Sequence, residues 1–468
     1  MKNKFYITTP IYYANAQPHI GHAYTTIASD VLARYYKLQN VETFFLTGMD
    51  EHGAKIAQKA KEENKKPQEL VDEIAGSFQG LWRKLDIKYD NFIRTTNPDH
   101  KKAIQKALQN LYDKGIIYKG EYEGLYCVGC EQFKSENDLV DGKCPDHNKE
   151  PEVMKEESYM MKMSEKQAEL IDKIKKDEFK IRPEKYKKEI LSFLKNNELE
   201  ELSISRKNVK WGIPLPFDKT HTVYVWFDAL LNYLTGIGWE GDVDKIPNFW
   251  PVDNQLLGKD ILRVHTTIWP IMLMHLGIEL PKKIFTHGHI LSDGKKMSKT
   301  IGNVISIDEM LEKFGTDGTR YLLLSAGTFG EDIDITIKRM IEKYNADLAN
   351  GLGNLVSRVV TLAKNYELVK TDEIEISGEF NNLIKELSFD KALGYIWKIV
   401  QNNNKYIEET KPWELVKTDK KVYEKVMQKL IADLYFIAQL LQPFMPQTSK
   451  KIKQQLKTGK KEILFQRI

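Results

Sequence analysis

All three cysteines of this 468-residue chain fall in one short window, which constrains the local fold more than any other feature. Cys127 and Cys130 form a Cys-x-x-Cys turn, and thirteen residues separate it from the Cys-x-x-His turn of Cys144 and His147. Zn²⁺ prefers four nitrogen or sulfur ligands in a tetrahedron, and two such turns supply them. A redox pair beside an unrelated surface histidine is the alternative. The closed set of four favours a structural zinc site, because it leaves no open position for catalysis.

The cysteine content indicates the redox state of the cellular compartment, and the composition indicates whether the chain is globular or spans a membrane. An odd number of cysteines and the lack of an apolar leader disfavour disulfide bonds, so we expect a reducing, cytoplasmic setting. No stretch approaches about eighteen consecutive apolar residues, which excludes a membrane span. With 41% hydrophobic and 29% charged residues and a net charge of +4, the chain is expected to form several packed cores.

The N-terminal part predicts a parallel α/β sheet. Aromatic and β-branched residues at 4–13 indicate a buried strand, and apolar residues then recur at helical spacing. Strand, helix, strand and helix follow one another at 4–13, 23–36, 42–48 and 53–63, an alternation typical of such sheets. We expect the sheet to resume at 221–227 and 283–287. Beyond it, helices are predicted at 390–409 and 422–441.

A His19-Ile-Gly-His22 tetrapeptide lies where the first predicted strand turns into the first helix. Its two imidazoles stand one turn apart, beside free backbone N–H groups and the positive end of a helix dipole, which suits a polyphosphate. Gly21 has no side chain, so a flat base can lie against the backbone. Taken alone, the tetrapeptide also fits ordinary surface or capping histidines.

A second basic motif lies far along the chain, in the loop Asp293-Gly-Lys-Lys-Met-Ser-Lys-Thr-Ile-Gly-Asn303. Lysines on a loop are mobile point charges that can follow negative charge as it develops on a leaving pyrophosphate. Taken alone, the loop also fits a solvated basic turn. Together with the histidine motif, it indicates a site for a nucleoside triphosphate.

These two motifs resemble the signatures of class I aminoacyl-tRNA synthetases. Further similar segments narrow the resemblance to methionyl-tRNA synthetases over nearly the whole chain: 9–15, 47–53, 224–229, 258–261 with His265 and Trp269, and 286–289. The four-ligand knuckle is similar to the one-knuckle branch of that family. Thr300 departs from the signature, which ends in serine, but it keeps the hydroxyl group. The resemblance implies four catalytic residues that also bind ATP, namely His19, His22, Lys296 and Lys299, with Gly21 and Thr300 as further ATP contacts.

The resemblance also implies a site for methionine. The α-ammonium group needs an anion, and a long, polarizable thioether suits an aromatic pocket with one hydroxyl group. The matching residues are Asp50 for the ammonium group and Ile11, Tyr13, Trp226, Tyr233 and His287 for the side chain. Plain core packing is the alternative for Tyr13 and Trp226.

The implied reaction is in-line attack of the methionine carboxylate on the α-phosphate of Mg-ATP, giving methionyl-adenylate and pyrophosphate. The carboxylate is already ionised at pH 7, so no strong base is needed, and positioning and charge stabilisation dominate. His19 and His22 would bind the phosphates, and Lys296 and Lys299 the leaving pyrophosphate. The methionyl group would then pass to the terminal ribose of tRNA(Met).

Three residues of the helical region match the positions that read the anticodon in this family. Asn354 and Arg358 lie at i and i+4 on one helical face, where they can bond to splayed bases, and Trp413 offers a stacking surface. Without the resemblance, Arg358 would be read as a salt-bridge residue and Trp413 as a core anchor at a helix start.

The fold implied is α/β, with a Rossmann-type parallel-sheet catalytic domain, a zinc-binding insertion and an all-α C-terminal domain. The expected domains are 1–118 and 213–290 for the two halves of the catalytic domain, 119–212 for the zinc insertion, 291–345 for the connecting segment with the lysine loop, and 346–468 for the anticodon-binding domain. Some family members carry a further dimerising module, for which this chain has no room, so we expect a monomer.

Three other functions compete with this interpretation. A class I synthetase for leucine, isoleucine or valine would typically carry a much larger editing insertion than the roughly ninety residues available here. A synthetase-like tRNA adaptor without catalysis would not need both histidines and both lysines of the two motifs. A cofactor-making nucleotidyltransferase of the same superfamily would be shorter and would lack the helical region.

Overall fold

The computed structural model describes residues 4–129, 132–134, 139–207, 209–297, 303–363 and 375–468. Its contacts divide the chain into two compact units. The first unit comprises Met1–Pro18, Thr43–Gly80 and Tyr89–Thr286, and the second comprises His19–Glu42, Leu81–Lys88 and His287–Ile468. Within the described ranges, no helix combines the length and the apolar character needed to cross a membrane.

The strands follow one another along the chain as β1 Lys4–Tyr13, β2 Glu42–Asp50, β3 Asn91–Arg94, β4 Ile117–Cys127, β5 Gln132–Lys134, β6 Glu152–Met161, β7 Lys180–Arg182, β8 Leu202–Ser203, β9 Ser205–Arg206, β10 Thr222–Val223, β11 Asn254–Gly258, β12 Lys283–His287, β13 Ile290–Ser292, β14 Lys295–Lys296 and β15 Ile333–Asp334.

The helices are α1 Ile20–Leu38, α2 Ala54–Glu62, α3 Pro67–Lys84, α4 Pro98–Asp113, α5 Ser164–Lys175, α6 Glu184–Asn196, α7 Val225–Leu230, α8 Asn232–Thr235, α9 Leu262–Thr266, α10 Ile268–Leu276, α11 Ile307–Leu324, α12 Ile337–Lys343, α13 Asn354–Leu362, α14 Gly378–Lys385, α15 Phe389–Thr410, α16 Pro412–Thr418, α17 Lys420–Leu441 and α18 Pro446–Thr458. A 3₁₀ turn at Lys259–Ile261 precedes α9, and a π-helix at Tyr344–Gly353 joins α12 to α13.

A six-stranded sheet organises the first unit, in the order β3-β2-β1-β11-β12-β7. The pairs β1 with β11, β2 with β3 and β12 with β7 are parallel, as predicted for an α/β fold. The predicted strands at 4–13, 42–48 and 283–287 correspond to β1, β2 and β12. Strand β7 lies in the lysine-rich segment, where the composition gave no sign of a sheet strand.

A smaller antiparallel sheet, in the order β5-β4-β6-β8, carries the cysteine window. Strand β4 pairs with β6 over ten residue pairs, from Ile117↔Met161 to Tyr126↔Glu152. Cys127 lies at the end of β4, opposite Gln132 of β5. The long pairing of β4 with β6 therefore holds the window at the tip of a two-stranded arm.

The strand predicted at 221–227 is wrong. The strand β10 contains only Thr222 and Val223, which pair antiparallel with Arg206 and Ser205 outside the six-stranded sheet. The chain then forms helix α7, in which Phe227, Asp228, Ala229 and Leu230 are buried. Local β propensity, which led to the prediction, gives way here to tertiary contacts. The strand that the sheet uses instead is β11, which pairs with β1.

Helices dominate the second unit, and one buried arginine joins three stretches of it. The Arg320 side chain is fully buried, and its Nη2 lies 2.7 Å from Oδ2 of Asp30 in α1. Its guanidinium also donates to the carbonyl oxygens of Leu85, Pro443 and Phe444 at 3.2, 2.8 and 2.8 Å. A buried cation with this many acceptors costs little, whereas removing Asp30 would leave the charge uncompensated.

Candidate functional site

The two histidines of the first motif stack on each other at the start of α1. Their ring centroids are 3.7 Å apart and the ring planes meet at 26°. His19 is the N-cap, and its Nδ1 accepts from the backbone N–H of Gly21 at 3.1 Å. The Nδ1 of His22 accepts from the backbone N–H of His19 at 3.3 Å. Because a backbone N–H can only donate, neutral rings carry their protons on Nε2, and each can donate from that nitrogen.

The environment of His22 favours an uncharged imidazole. Burial, followed by the nearby His19, lowers the pKa of His22 well below its ordinary value. A Cβ atom on Gly21 would lie 3.0 Å from Cε1 of His19, so the glycine leaves room for the His19 ring to fold back over the helix start. The pair can therefore offer neutral donors, together with the helix dipole, to an anion.

The lysine motif is described only in part. Strand β14 contains Lys296 and pairs antiparallel with β13, with Leu291 opposite Lys296. The backbone N–H of Gly294, in the turn between these strands, donates to Asp334 at 3.1 Å. The predicted residues Lys299 and Thr300 lie outside the described residues.

Asp50 ends strand β2 and is buried. The residues that follow it are held on several sides. The N–H of Glu51 donates to Oγ1 of Thr95 at 3.0 Å, and the carbonyl oxygen of Glu51 accepts from the indole of Trp211 at 2.6 Å. Nδ1 of His52 lies 2.6 Å from Oδ2 of Asp228. The position of the Asp50 backbone is thus fixed by its neighbours.

Tyr233 and Trp226 lie around a buried histidine, His265, in the first unit. The hydroxyl of Tyr233 lies 2.7 Å from Nε2 of His265, and Nδ1 of His265 lies 2.9 Å from the carbonyl oxygen of Ile261. That carbonyl only accepts, so Nδ1 carries the proton and Nε2 must accept from Tyr233. Burial lowers the pKa of His265 to about 4, although the bond to Ile261 opposes the shift. Tyr233 therefore faces a neutral partner at pH 7.

Further aromatic rings complete this cluster. The rings of Trp226 and His265 are 6.4 Å apart, and those of Tyr233 and Trp269 are 5.6 Å apart. Sequence reasoning noted His265 and Trp269 as parts of similar segments, but it did not assign them to the methionine site. Their position beside Tyr233 depends on the packing of α9 and α10, and the aromatic–histidine spacing gives no local signal for it.

The remaining residues predicted for the methionine site have different surroundings. Ile11 and Tyr13 are partly buried in β1, and Ile11 packs against the apolar core that includes Tyr233. His287 lies in the second unit, where Nε2 is 2.6 Å from Oγ1 of Thr25 and Nδ1 is 2.8 Å from the carbonyl oxygen of Gly288. Both ring nitrogens of His287 are therefore engaged within that unit.

Three of the four predicted metal ligands converge. The ligand atoms of Cys127, Cys144 and His147 lie within 4.8 Å of one another. Nδ1 of His147 is 3.9 Å from Sγ of Cys127 and 3.7 Å from Sγ of Cys144. Tetrahedral zinc places such sulfur and nitrogen atoms about 3.5 Å apart, so the donor set fits the ion. The fourth predicted ligand, Cys130, lies outside the described residues.

Gly129 explains how the histidine reaches this cluster. A Cβ atom at Gly129 would lie 2.4 Å from Cγ of the His147 ring, closer than van der Waals contact allows. Only glycine leaves the space that the ring occupies. Gly129 therefore leaves the space that the His147 ring needs beside Cys127.

The three residues predicted to read an anticodon are on or near the protein surface. Asn354 is exposed at the start of α13, and Arg358 is partly buried one turn later. Nη2 of Arg358 lies 2.7 Å from Oε1 of Glu408 near the end of α15. Trp413, at the start of α16, is 41% exposed and is not a core anchor. Arg358 thus forms the salt bridge that its alternative interpretation foresaw, whereas Trp413 offers an open ring face.

Two family models match consecutive parts of the chain. One, described as tRNA synthetases class I (M), matches residues 5–150 and 147–360. The other, described as the anticodon binding domain of methionyl tRNA ligase, matches residues 363–465. The two matches together cover nearly the whole chain.

Individual relatives agree with these models. The chain is 46% identical to the methionine-tRNA ligase of Clostridium acetobutylicum over 97% of its own length and 73% of that protein. It is 45% identical to the corresponding protein of Fusobacterium nucleatum, again over 97% of this chain and 75% of the relative.

A solved structure is similar over the same extent. The methionyl-tRNA synthetase of Mycobacterium tuberculosis in complex with methionyl-adenylate superimposes with a TM-score of 0.90 at 35% identity, covering 97% of this chain and 93% of that one. The family models, the relatives and the fold all agree. The chain therefore belongs to the methionine family of class I tRNA synthetases, with the anticodon-binding domain of that family.

Proposed function

We propose that this chain activates methionine with ATP and transfers the methionyl group to the 3′-terminal ribose of tRNA(Met). The observation that carries the proposal lies in the first unit. The loop after Asp50 is bonded through His52 to Asp228, on the same helix α7 as Trp226. An anionic group and an aromatic cluster are thereby built into one buried framework, which suits an amino acid with a long apolar side chain.

The first step requires no strong base. The ionised methionine carboxylate attacks the α-phosphorus of Mg-ATP, the bond from that phosphorus to the bridging oxygen breaks, and pyrophosphate leaves with the electron pair. We assign His19 and His22 to the phosphates, because each neutral ring can donate from Nε2. Lys296 and Lys299 are assigned to the leaving pyrophosphate, and Gly21 and Thr300 to further contacts with ATP.

The proposed methionine site has two parts, a carboxylate for the α-ammonium group and a mostly apolar pocket for the side chain. Asp50 is assigned to the α-ammonium group, and five residues are assigned to the side chain: Ile11, Tyr13, Trp226, Tyr233 and His287. Because the hydroxyl proton of Tyr233 is directed to His265, this hydroxyl can meet a ligand only as an acceptor. Soft contacts between the thioether sulfur and the rings then supply much of the preference for methionine.

The transfer step involves the helical part of the second unit. Asn354, Arg358 and Trp413 are proposed to bond and stack with unpaired anticodon bases. The exposed face of Trp413 supports this assignment, because a stacking ring must be open to solvent before RNA binds.

The knuckle is proposed to hold one structural zinc ion. Cys127, Cys144 and His147 would supply three ligands and Cys130 the fourth, so no position is left for substrate. Zinc-bound thiolates also suit a reducing compartment such as the cytoplasm. Metal analysis of the purified protein should give one zinc per chain, and Cys144→Ser should abolish it. Full zinc retention in that variant would contradict the ligand assignment.

Amino-acid-dependent exchange of labelled pyrophosphate into ATP tests the activation step of the proposal. Run with each of the twenty amino acids, the exchange is expected with methionine only. Exchange with leucine, isoleucine or valine instead would preserve the fold and overturn the pocket assignment. An absence of exchange together with intact tRNA binding would favour a synthetase-like adaptor.

A further inference from the structure

A buried carboxylate in the first unit joins two histidines that the reaction above does not use. Oδ2 of Asp228 lies 2.6 Å from Nδ1 of His52, and Oδ1 lies 2.7 Å from Nε2 of His100. All three side chains are almost completely buried. The second ring nitrogen of His100 is 2.7 Å from Oγ1 of Thr235. The group spans the loop after β2 and the helices α4, α7 and α8.

The pKa of Asp228 indicates an ionised carboxylate. Burial alone would raise the pKa of Asp228, but the two imidazoles outweigh that effect and lower it to about 2. An ionised carboxylate only accepts, so both histidines donate to it. Hydrogen bonds of this charge-assisted kind are shorter and about twice as strong as neutral ones. Two such bonds therefore fix the positions of the His52 and His100 rings relative to Asp228.

Asp228 is linked, through its hydrogen bonds and through the helix on which it lies, to segments of the chain that carry residues proposed to bind methionine. His52 is two positions after Asp50, in the short loop that ends β2. Trp226 is two positions before Asp228 on helix α7, and Tyr233 shares helix α8 with Thr235. One carboxylate thus joins the loop of the ammonium-binding residue to the helices of the aromatic cluster.

We propose that Asp228 is a positioning residue for the amino-acid substrate, acting through His52 on the carboxylate of Asp50 and through α7 on Trp226. This inference rests on the proposed function, in which Asp50 binds the α-ammonium group. Asp228 itself contacts no substrate. It sets the separation between the anion and the aromatic wall, and that separation must match the length of one amino acid.

The direct test is the Michaelis constant for methionine in pyrophosphate exchange. Asp228→Asn replaces one acceptor by a donor that faces a ring N–H, so one histidine must shift. A shift of this kind is expected to raise the Michaelis constant for methionine about tenfold or more. The Michaelis constant for ATP is expected to change less than about threefold. Equal increases for both substrates would overturn the inference.

Variants of His52 provide the matched comparison should Asp228→Asn fold poorly. His52→Asn keeps an N–H donor near the position of Nδ1 and is expected to remain within about threefold of the wild type. His52→Leu removes the donor and is expected to resemble Asp228→Asn. His275→Asn controls for stability alone, since His275 is a buried histidine of the same unit that bonds to the carbonyl oxygen of Lys162. A rise in the methionine constant in His275→Asn as large as in His52→Leu would overturn the inference.

A double-mutant cycle with Asp50→Asn separates positioning from general damage. Because Asp228 acts partly through Asp50, its replacement should raise the Michaelis constant for methionine by a smaller factor in the Asp50→Asn background than in the wild type. Effects that multiply in full would overturn the inference while leaving the proposed function intact. Unchanged methionine dependence in Asp50→Asn alone would overturn the assignment of Asp50 and the inference with it. A wild-type protein without methionine-dependent exchange would instead refute the proposed function itself.

Discussion

The residues proposed for methionine and those proposed for the anticodon are built in opposite ways. Asp50 and Tyr233 are buried, and the hydroxyl of Tyr233 is bonded to His265. Trp413 is instead 41% exposed, and Arg358 bonds to Glu408, whose side chain is 65% exposed. A small ligand is enclosed by buried groups that are already in place, whereas the bases of an RNA loop are met by side chains at the surface. Substitutions should therefore have larger and more specific effects in the first set than in the second.

The largest effect is expected for Asp50→Asn. Removing one partner of a buried ion pair typically costs about 3–5 kcal/mol, or roughly a 160- to 5,000-fold rise in the Michaelis constant for methionine. The constant for ATP, measured in the same exchange assay, should change little. A comparable increase for ATP would show that Asp50 supports the fold and not the ammonium group.

The next largest effect is a pH dependence of the free energy of unfolding, caused by the titration of His265. Its pKa is about 4 in the folded protein and about 6.5 when unfolded, so the unfolded state binds more protons between these values. The contribution is complete above about pH 6.5 and is lost as the pH falls towards 4, by about 2 kcal/mol between pH 7.5 and pH 5. Urea unfolding at both pH values should show this loss in the wild type and a smaller one in His265→Asn. An equal loss in both proteins would contradict the buried, neutral state of His265.

A smaller effect, confined to the second step, is expected for Trp413→Ala. Stacking of a base on an aromatic ring contributes about 1–3 kcal/mol, so charging of tRNA should fall roughly tenfold. Pyrophosphate exchange should be unchanged, and Trp413→Phe, which keeps a ring, should recover most of the charging. An equal fall in pyrophosphate exchange would contradict the assignment of Trp413 to the tRNA step alone, and with it the contrast between the buried methionine residues and the exposed anticodon residues.

The smallest effect is expected for Glu408→Gln. Surface ion pairs contribute about 0 to 1 kcal/mol, so releasing Arg358 should strengthen tRNA binding by at most about fivefold. The gain should shrink as salt is raised, because exposed charges are screened. Weaker tRNA binding in this variant would indicate that Glu408 orients Arg358 for recognition.

The elements with strong local patterns could be predicted from the sequence. The strand at Lys4–Tyr13 has the predicted bounds, and the helices predicted at 390–409 and 422–441 correspond to α15 and α17. In both helices, apolar residues recur at helical spacing over ten or more residues, which is long enough to distinguish a helix from a strand. Strand β11 is not predicted, because its five residues begin with two amides, Asn254 and Gln255, and show no β pattern. The aromatic run before Asp228 predicts a strand, because β propensity alone does not contain its tertiary contacts.

The contacts within the candidate site were harder to foresee, because they join distant parts of the chain. Asp228 meets His52 and His100 across 176 and 128 residues, and no local spacing indicates such a meeting. The cysteine window is the opposite case. Cys144 and His147 stand close to Cys127 in sequence, so the ligand pattern itself predicted the cluster that the structure describes.

The partners of Arg320 have a consequence for how the chain is made. Asp30, Leu85 and Phe444 span 414 residues, and a ribosome adding about 5–20 residues per second needs roughly 20 to 80 seconds to produce them all. Until then the guanidinium of Arg320 lacks the carbonyl oxygen of Phe444, to which it donates in the finished protein. The helix that carries the histidine pair is therefore among the first parts synthesised, and we expect it to be among the last to reach its final environment.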